Sequence, residues 1–339
     1  MRVVIRGNSV AAWCSVHLLK QSGLAPVFCP AGRPGVPAIM LSDPALALIR
    51  DIFGNRSLFA SAHPIHHRVV QWGPAANALT LDHSAVVVSE AELLDAFGEA
   101  VTTGQTPPPA DFTIFAARPL AADVTEHRFG TRVAAAAKIS LKDPADSNSC
   151  WIESLEEGWL FLIPNATGSG WLLSVGPAPE AALAKSRLIG SRIASIEPAA
   201  GHFPTAPRIV DPLGGVTESG SAWLACGTAA LAFDPLCGDG TAHAVREAIL
   251  ASAVVRGVAK GADPRALLAH YQARLTAGFC RHLAASLDFY RTGETTPWWQ
   301  GERAALETGL AWCTARMREY GPFRYQLNNL DLVPLTSGK

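Results

Sequence analysis

The stretch that most constrains this chain lies late in it, from Trp223 to Ser252: WLACGTAALAFDPLCGDGTAHAVREAILAS. Trp223 to Cys226 reads as a buried strand, and the small residues Gly227 to Ala230 as a turn. Asp234 to Gly240 is a Pro/Gly-rich loop, after which a helix runs from Thr241 towards Arg256. Gly238 and Gly240 carry no Cβ, so backbone can approach a ligand closely there. The first turn of the helix points its unpaired N–H groups and positive dipole end back at the loop. Strand, glycine loop and helix N-terminus together make a place for an electron-rich or anionic group.

A second unit of the same kind opens the chain. Arg2 to Arg6 is a short β-branched strand, a helical run follows to about Ser22 with Gly23 as its cap, and Leu24 to Cys29 reads as the next strand. That order is the context a glycine fingerprint requires. Set against G-x-G-x-x-G/A, the chain offers Gly7, Ser9 and Ala12, with serine at the middle position. In a Rossmann site the middle glycine lets backbone approach a pyrophosphate, and a serine restricts that approach unless its hydroxyl contacts a phosphate. Read alone, residues 1–30 fit a unit that only packs a sheet as well as one that binds.

Between these units the pattern changes. Asp43-Pro44 starts a helix to Gly54, and Ser89 to Glu92 is a capping box for a helix to about Val101. Gln105 to Ala110 is a Pro-rich loop, and Asp111 to Ala117 is a strand ending at Arg118. From Gly130 the reading is β: Arg132–Leu141, Ser149–Ser154, Gly158–Ile163 and Gly170–Val175 look like antiparallel strands, with a helix expected over Ala181–Ile196. A long helix starts at Asp263-Pro264, with Leu267, Tyr271, Leu275, Phe279, Leu283 and Leu287 as a core-facing stripe, and another follows Pro297-Trp298-Trp299.

The run from Trp223 to Ala230 and the run Asp234-Pro235-Leu236 to Thr241 resemble the FAD-dependent monooxygenases, in particular the branch with the flavin-dependent tryptophan halogenases and related aromatic-modifying flavoproteins. Members usually carry W-L-A-x-G-D-A-A and then D-P-L-x-x-x-G-[IT] opening a helix. Glu157 to Pro164 resembles the halogenase W-x-W-x-I-P, with Phe161 in place of the second tryptophan, and fits a core strand equally well. Asp111 to Arg118 resembles D-A-[TS]-G-R, with Ala117 in place of glycine. Departures fall on cofactor contacts. The family aspartate after the first glycine is Thr228, the acid ending the second strand falls on Cys29 or Pro30, and the arginine opening the third helix is Glu90.

The resemblance implies an α/β fold: a three-layer, Rossmann-like FAD-binding domain, an antiparallel β-sheet substrate domain and C-terminal helices. It assigns residues 1–60, 85–125 and 200–260 to the first, 61–84 and 126–199 to the second, and 261–339 to the helical region. Gly7, Ser9, Ala12, Arg118, Gly227, Thr228, Pro235, Gly238 and Gly240 are the implied cofactor-lining residues. FAD is the implied cofactor, held weakly given the departures. No catalytic acid or base emerges; Glu153 and His243 are candidates that also fit a solvated glutamate and a surface histidine.

Composition narrows the partners. Lys+Arg 28 against Asp+Glu 29 gives a net charge of −1 without a long basic run, which argues against nucleic acid or an anionic membrane. Seven scattered cysteines offer no zinc spacing, and His63, His66 and His67 have no carboxylate or cysteine at ligand distance along the chain, so no metal is expected. No signal peptide or membrane span is expected, which points to the cytoplasm. A single dinucleotide fingerprint implies no NADPH domain, and hence reduced flavin from a partner reductase. Halogenation ranks below hydroxylation or dehydrogenation of an aromatic or peptide-borne substrate, because the halogenases need a lysine in the early part of the chain and none lies between Lys20 and Lys138. The competing expectation is a non-enzymatic protein that keeps the fold and binds an aromatic molecule or peptide in the old cleft.

Overall fold

The computed structural model describes residues 1–31, 35–74, 77–98, 109–120, 124–199 and 201–335. The chain begins β1 (Val3–Arg6), α1 (Val10–Gln21), β2 (Val27–Cys29), β3 (Ile39–Ser42), α2 (Asp43–Phe53), β4 (His63–Gln71) and β5 (Leu79–Val88). Next come α3 (Glu90–Phe97), β6 (Phe112–Phe115), β7 (Thr125–Arg128), β8 (Val133–Leu141), β9 (Ser149–Leu155), β10 (Gly158–Ala166) and β11 (Ser169–Val175). They are followed by α4 (Pro179–Lys185), β12 (Ile193–Ile196), β13 (His202–Pro204), β14 (Arg208–Asp211), β15 (Gly214–Val216), β16 (Ala222–Ala225) and β17 (Leu231–Ala232). Helices α5 (Gly240–Ala259), α6 (Pro264–Arg291) and α7 (Pro297–Tyr320) precede a closing hairpin, β18 (Tyr325–Asn328) and β19 (Asp331–Pro334).

Strand composition decides which sheet each strand joins. β1, β6 and β16 are short, apolar and buried almost throughout, as parallel strands covered on both faces must be. They form the five-stranded sheet β15-β16-β6-β1-β2, parallel except for β15; α1 packs on it and α5 packs against α1. The longer, mixed strands build a nine-stranded sheet, β12-β8-β11-β10-β9-β4-β5-β3 with β13 beside β8, antiparallel except where β4 runs parallel to β9. A small sheet β17-β14-β7 stands apart from these two in its pairing. This is the α/β architecture expected from the sequence, with the C-terminal helices added.

Several expectations are corrected. The helix expected over Ala181–Ile196 stops at Lys185, and β12 takes its end. The reason is Glu153, buried on β9, which accepts hydrogen bonds from Ser186 Oγ and from the backbone N–H of Arg187 (2.8 Å), Leu188 (3.1 Å) and Ile189 (2.9 Å). Those N–H groups turn towards a carboxylate and leave the helical ladder, so Glu153 is a structural residue. Ser42, not Asp43, precedes α2, and Trp298 and Trp299 lie inside the first turn of α7. α3 begins with the expected capping box and runs to Phe97. Most of the Gln105–Ala110 loop and the end of the helix expected to Val101 lie outside the described residues.

Among the described residues no group of His, Cys, Asp and Glu is arranged to hold a metal, and His63 Nε2 instead donates to the Ser147 carbonyl at 2.7 Å. No helix among them is long and apolar enough to cross a membrane.

Candidate functional site

The two strand–turn–helix units meet at the C-terminal edge of the parallel sheet, and the structure treats them differently. At the start of α1, Gly7 has φ +127°, and a Cβ there would stand 2.7 Å from Ala117 N and 2.8 Å from Ala116 C. The turn is pressed onto the end of β6, and glycine is required for that contact. Ser9, 4% exposed, is the N-cap of α1: its hydroxyl accepts from Ala12 N–H at 3.4 Å and lies 3.5 Å from the Ala116 carbonyl. Gly227, φ +58°, closes the other side, where a Cβ would stand 2.8 Å from Ala11 Cβ. Its N–H donates to Glu247 Oε2 of α5 at 2.7 Å. Glu247 is sealed in the interior, and burial pushes its carboxyl up to about 8, against the opposing pull of that hydrogen bond. Gly7, Ser9, Ala12 and Gly227 are therefore brought together, with the chain's own atoms filling the space between them.

The remaining early candidates lie outward of this turn. Thr228 exposes its side chain while its carbonyl accepts from Arg208. Arg118 pairs with Glu126, which also holds Arg128. Glu90, buried at the head of α3, accepts from Val36 N–H at 2.9 Å and pins the segment leading into β3. That bond gives the charge reversal at this position a structural role.

At the start of α5 the picture is open. Pro235–Cys237 forms a 3₁₀ turn, and Gly238 is left-handed with φ +64°. Asp239 occupies the N-cap position of α5 without capping through its side chain; its carboxylate pairs with Arg246 at 2.9 Å and lies 3.7 Å from His243. Among the described residues the first N–H groups of α5 are thus left without a side-chain acceptor. A Cβ on Gly240 would meet nothing within 4 Å, and one on Gly238 would reach only Arg68 Nη2 at 3.7 Å and Met40 Cε at 3.8 Å. In front of this loop lies a cavity of about 340 Å³ whose walls include Met40 and Ser42 of β3, Arg68 of β4, His83 of β5, Gly238 and Arg246. Of the implied residues Pro235, Gly238 and Gly240, Gly238 lines this hollow between the loop and the large sheet, with Asp239 beside it.

A buried polar network fixes the loop from behind. Asp234 Oδ1 accepts from Leu236 N–H at 2.9 Å, and Oδ2 accepts from the Tyr290 hydroxyl at 2.9 Å and lies 3.2 Å from Arg132 Nε. Arg132 Nη1 donates to Glu302 Oε2 at 2.7 Å, while Thr131 N–H and Oγ1 both donate to Oε1 at 2.9 Å. Asp234 N–H donates to His282 Nε2 at 2.8 Å. That nitrogen must be unprotonated, which agrees with burial, followed by the nearby His243 and Arg132, pushing His282 down to about 3. Trp159, from the tryptophan-like motif, is fully buried and donates to the Tyr290 hydroxyl at 3.1 Å, so it supports this network and does not line the cavity. His243 stacks on Phe233 at 4.2 Å, part of the same packing.

Sequence reasoning missed Arg68, His83 and Arg246 as a set, because they come from three elements far apart in sequence. It missed Arg132 and Glu302 for the same reason. Glu247 did leave a signal, as a lone carboxylate in a helix of small and apolar residues.

No protein-family model and no curated protein matches the chain, but solved structures do. The flavin-dependent halogenase CmlS superposes with a TM-score of 0.72 at 17% identity, over 94% of this chain and 71% of that one. The fold is that of the FAD-dependent monooxygenases and halogenases. Within that fold, the peptidyl tryptophan dihydroxylase QhpG gives a TM-score of 0.68 at 18% identity, over 89% of this chain and 78% of that one. HpxO of Klebsiella pneumoniae, solved with FAD and uric acid, gives 0.62 at 15% identity, over 95% and 97%. At such identities the likeness is one of fold, and the monooxygenase-type scaffold explains why a parallel sheet and a large antiparallel sheet face each other across the loop Asp234–Gly240.

Proposed function

We propose that this chain is a flavin-dependent oxidoreductase of the monooxygenase type, acting on an aromatic or peptide-borne substrate and lacking a nicotinamide domain of its own. One observation carries the reading: Gly238 and Asp239, the N-cap residue of α5 whose side chain does not cap the helix, line a cavity of about 340 Å³. The residues there fit the flat, electron-rich end of FAD, which would meet N–H donors and the positive end of the helix dipole. When bound, FAD would supply the electron transfer; the chain's own residues set position and electrostatics. Asp234, clamped by Leu236, Tyr290 and Arg132, holds the loop in the shape that presents those donors.

The fit is poorer at the phosphate end. Ser9 already satisfies Ala12 N–H, Thr228 stands where the family has aspartate, and Glu90 serves Val36. Losing two hydrogen bonds to charged groups weakens binding by about 3–6 kcal/mol, which places the flavin in the micromolar range. Residues 1–60, 85–125 and 200–260 are assigned to the cofactor lobe, 61–84 and 126–199 to the substrate lobe, and 261–339 to the supporting helices. Reduced flavin is assigned to a separate reductase, with the cytoplasm as compartment. QhpG, named for dihydroxylating a peptidyl tryptophan, and HpxO, solved with uric acid, support an aromatic or peptide-borne substrate. Halogenation ranks lower, since no lysine lies between Lys20 and Lys138.

The test is oxygen uptake by the purified chain given excess reduced FAD, together with its visible spectrum. Bound flavin and protein-dependent uptake are expected; a colourless protein that leaves the spectrum of added FAD unchanged rejects the reading. The closed turn at α1 favours a second reading, a non-enzymatic binder that keeps the cleft and has lost the cofactor. Stoichiometric FAD on the purified protein rejects that one.

A further inference from the structure

We propose that Arg68 makes the cavity beside Gly238 a carboxylate receptor, so that the substrate or binding partner reaching it, alongside the flavin ring in the oxidoreductase reading, carries one carboxylate next to its apolar or aromatic part. This rests on reading the cavity as a ligand hollow, which both functional readings share. Arg68 stands on β4 in register with Cys150 of β9, partly buried, with its guanidinium facing Gly238. Its polar contact in the cavity is with His83, whose Nε2 accepts from Nη2 at 3.2 Å.

Of the two guanidinium groups on the cavity wall, Arg68 makes no ion pair among the described residues. Arg246 is matched by Asp239 at 2.9 Å, and the same carboxylate lies 3.7 Å from His243. His83 is held neutral near pH 7, lowered by burial and then by Arg68, against a smaller opposing effect of Asp43. Asp43 stands near enough to influence His83 but makes no ion pair with Arg68 among the described residues. Arg68 Nε is buried without a hydrogen-bond partner among the described residues, and the Cys150 thiol lies beside the guanidinium. A buried N–H left without an acceptor is costly, and the planar guanidinium fork matches a carboxylate through two parallel N–H···O bonds. One guanidinium fork, with Asp43 nearby, suits a single carboxylate. The cavity volume suits a small ligand, and the Met40 side chain supplies an apolar wall.

The carboxylate has two sources, a free aryl acid or the end of a peptide, and two probe pairs separate them. Binding to the purified chain is measured by calorimetry for benzoate against benzamide, and for N-acetylphenylalanine against its amide. In at least one pair the acid is expected to bind about 10- to 100-fold more tightly, and the preferred pair names the source. Arg68→Gln should abolish the preference, with a thermal melt confirming that it folds. Arg68→Lys, which keeps the charge but loses the fork, should retain the preference at reduced size. Equal binding of acid and amide in both pairs by the unaltered chain overturns the proposal, as does a preference that survives Arg68→Gln. Both series are run with and without excess FAD. Absence of flavin uptake then rejects the oxidoreductase reading alone, and acid–amide equality rejects the receptor alone.

Discussion

The N-termini of α1 and α5 are assembled from the same parts, a strand, a glycine turn and the first turn of a helix, yet they end in opposite conditions. At α1 the helix donor is taken by Ser9, and both flanking glycines touch the chain itself, Gly7 on Ala116–Ala117 and Gly227 on Ala11. At α5 the N-cap side chain turns away to Arg246, Gly240 faces open space, and Gly238 looks across at Arg68 and Met40. A glycine in such a motif therefore has two distinct causes. One is close packing of backbone on backbone, and the other is room for something that is not part of the chain.

The largest expected effect tests what holds the open end open. Glu302→Ala removes the partner of Arg132 and leaves a buried guanidinium against Asp234. It should cost about 3–5 kcal/mol in chemical denaturation and loosen the loop; a loss below about 1 kcal/mol would mean that the network does not brace α5's entrance.

Acidity probes the closed end. Glu247 is raised to about 8 when folded, above its ordinary value of 4.5, so the folded state holds the proton more tightly. The stability this contributes is complete below about pH 4.5 and declines as pH rises towards 8. Glu247→Gln should flatten that decline and leave a more stable protein above pH 8, read from denaturation midpoints across the range.

Gly7→Ala sharpens the contrast directly. With φ +127° and backbone atoms 2.7 Å from the new Cβ, it should cost about 3 kcal/mol. Gly240→Ala meets no atom and should change stability by less than about 0.5 kcal/mol. Equal losses at the two sites would erase the distinction.

The smallest effect concerns the cap. Ser9→Ala should cost about 1 kcal/mol and Ser9→Gly only a few tenths. Ser9→Gly frees Ala12 N–H and should tighten FAD binding several-fold, as followed by flavin fluorescence.

Much of the scaffold was legible because its signals are local. The continuous apolar runs of β1 and β16, the capping box at Ser89 and the Asp-Pro start of α6 each act within a few residues. Long-range polar bonds were not legible. Glu153 ends α4 from another sheet strand, and nothing in the sequence near Ala181 announces it. The candidate site divides the same way. The loop Asp234–Gly240 was visible from its glycines, whereas the residues facing it, Arg68 and His83, sit on strands whose mixed polarity hides which side chains turn inward. The motif at Gly7, Ser9 and Ala12 was visible too, but whether it encloses a ligand or itself depended on how close β6 lies.

The most direct test is a titration of the purified chain with FAD and, separately, with riboflavin, followed by visible absorbance. If the ring end is received at α5 while the phosphate end at α1 is closed, FAD should bind in the micromolar range and exceed riboflavin by no more than about tenfold. An unchanged spectrum with both ligands would contradict the account, as would FAD binding hundreds of times more tightly than riboflavin.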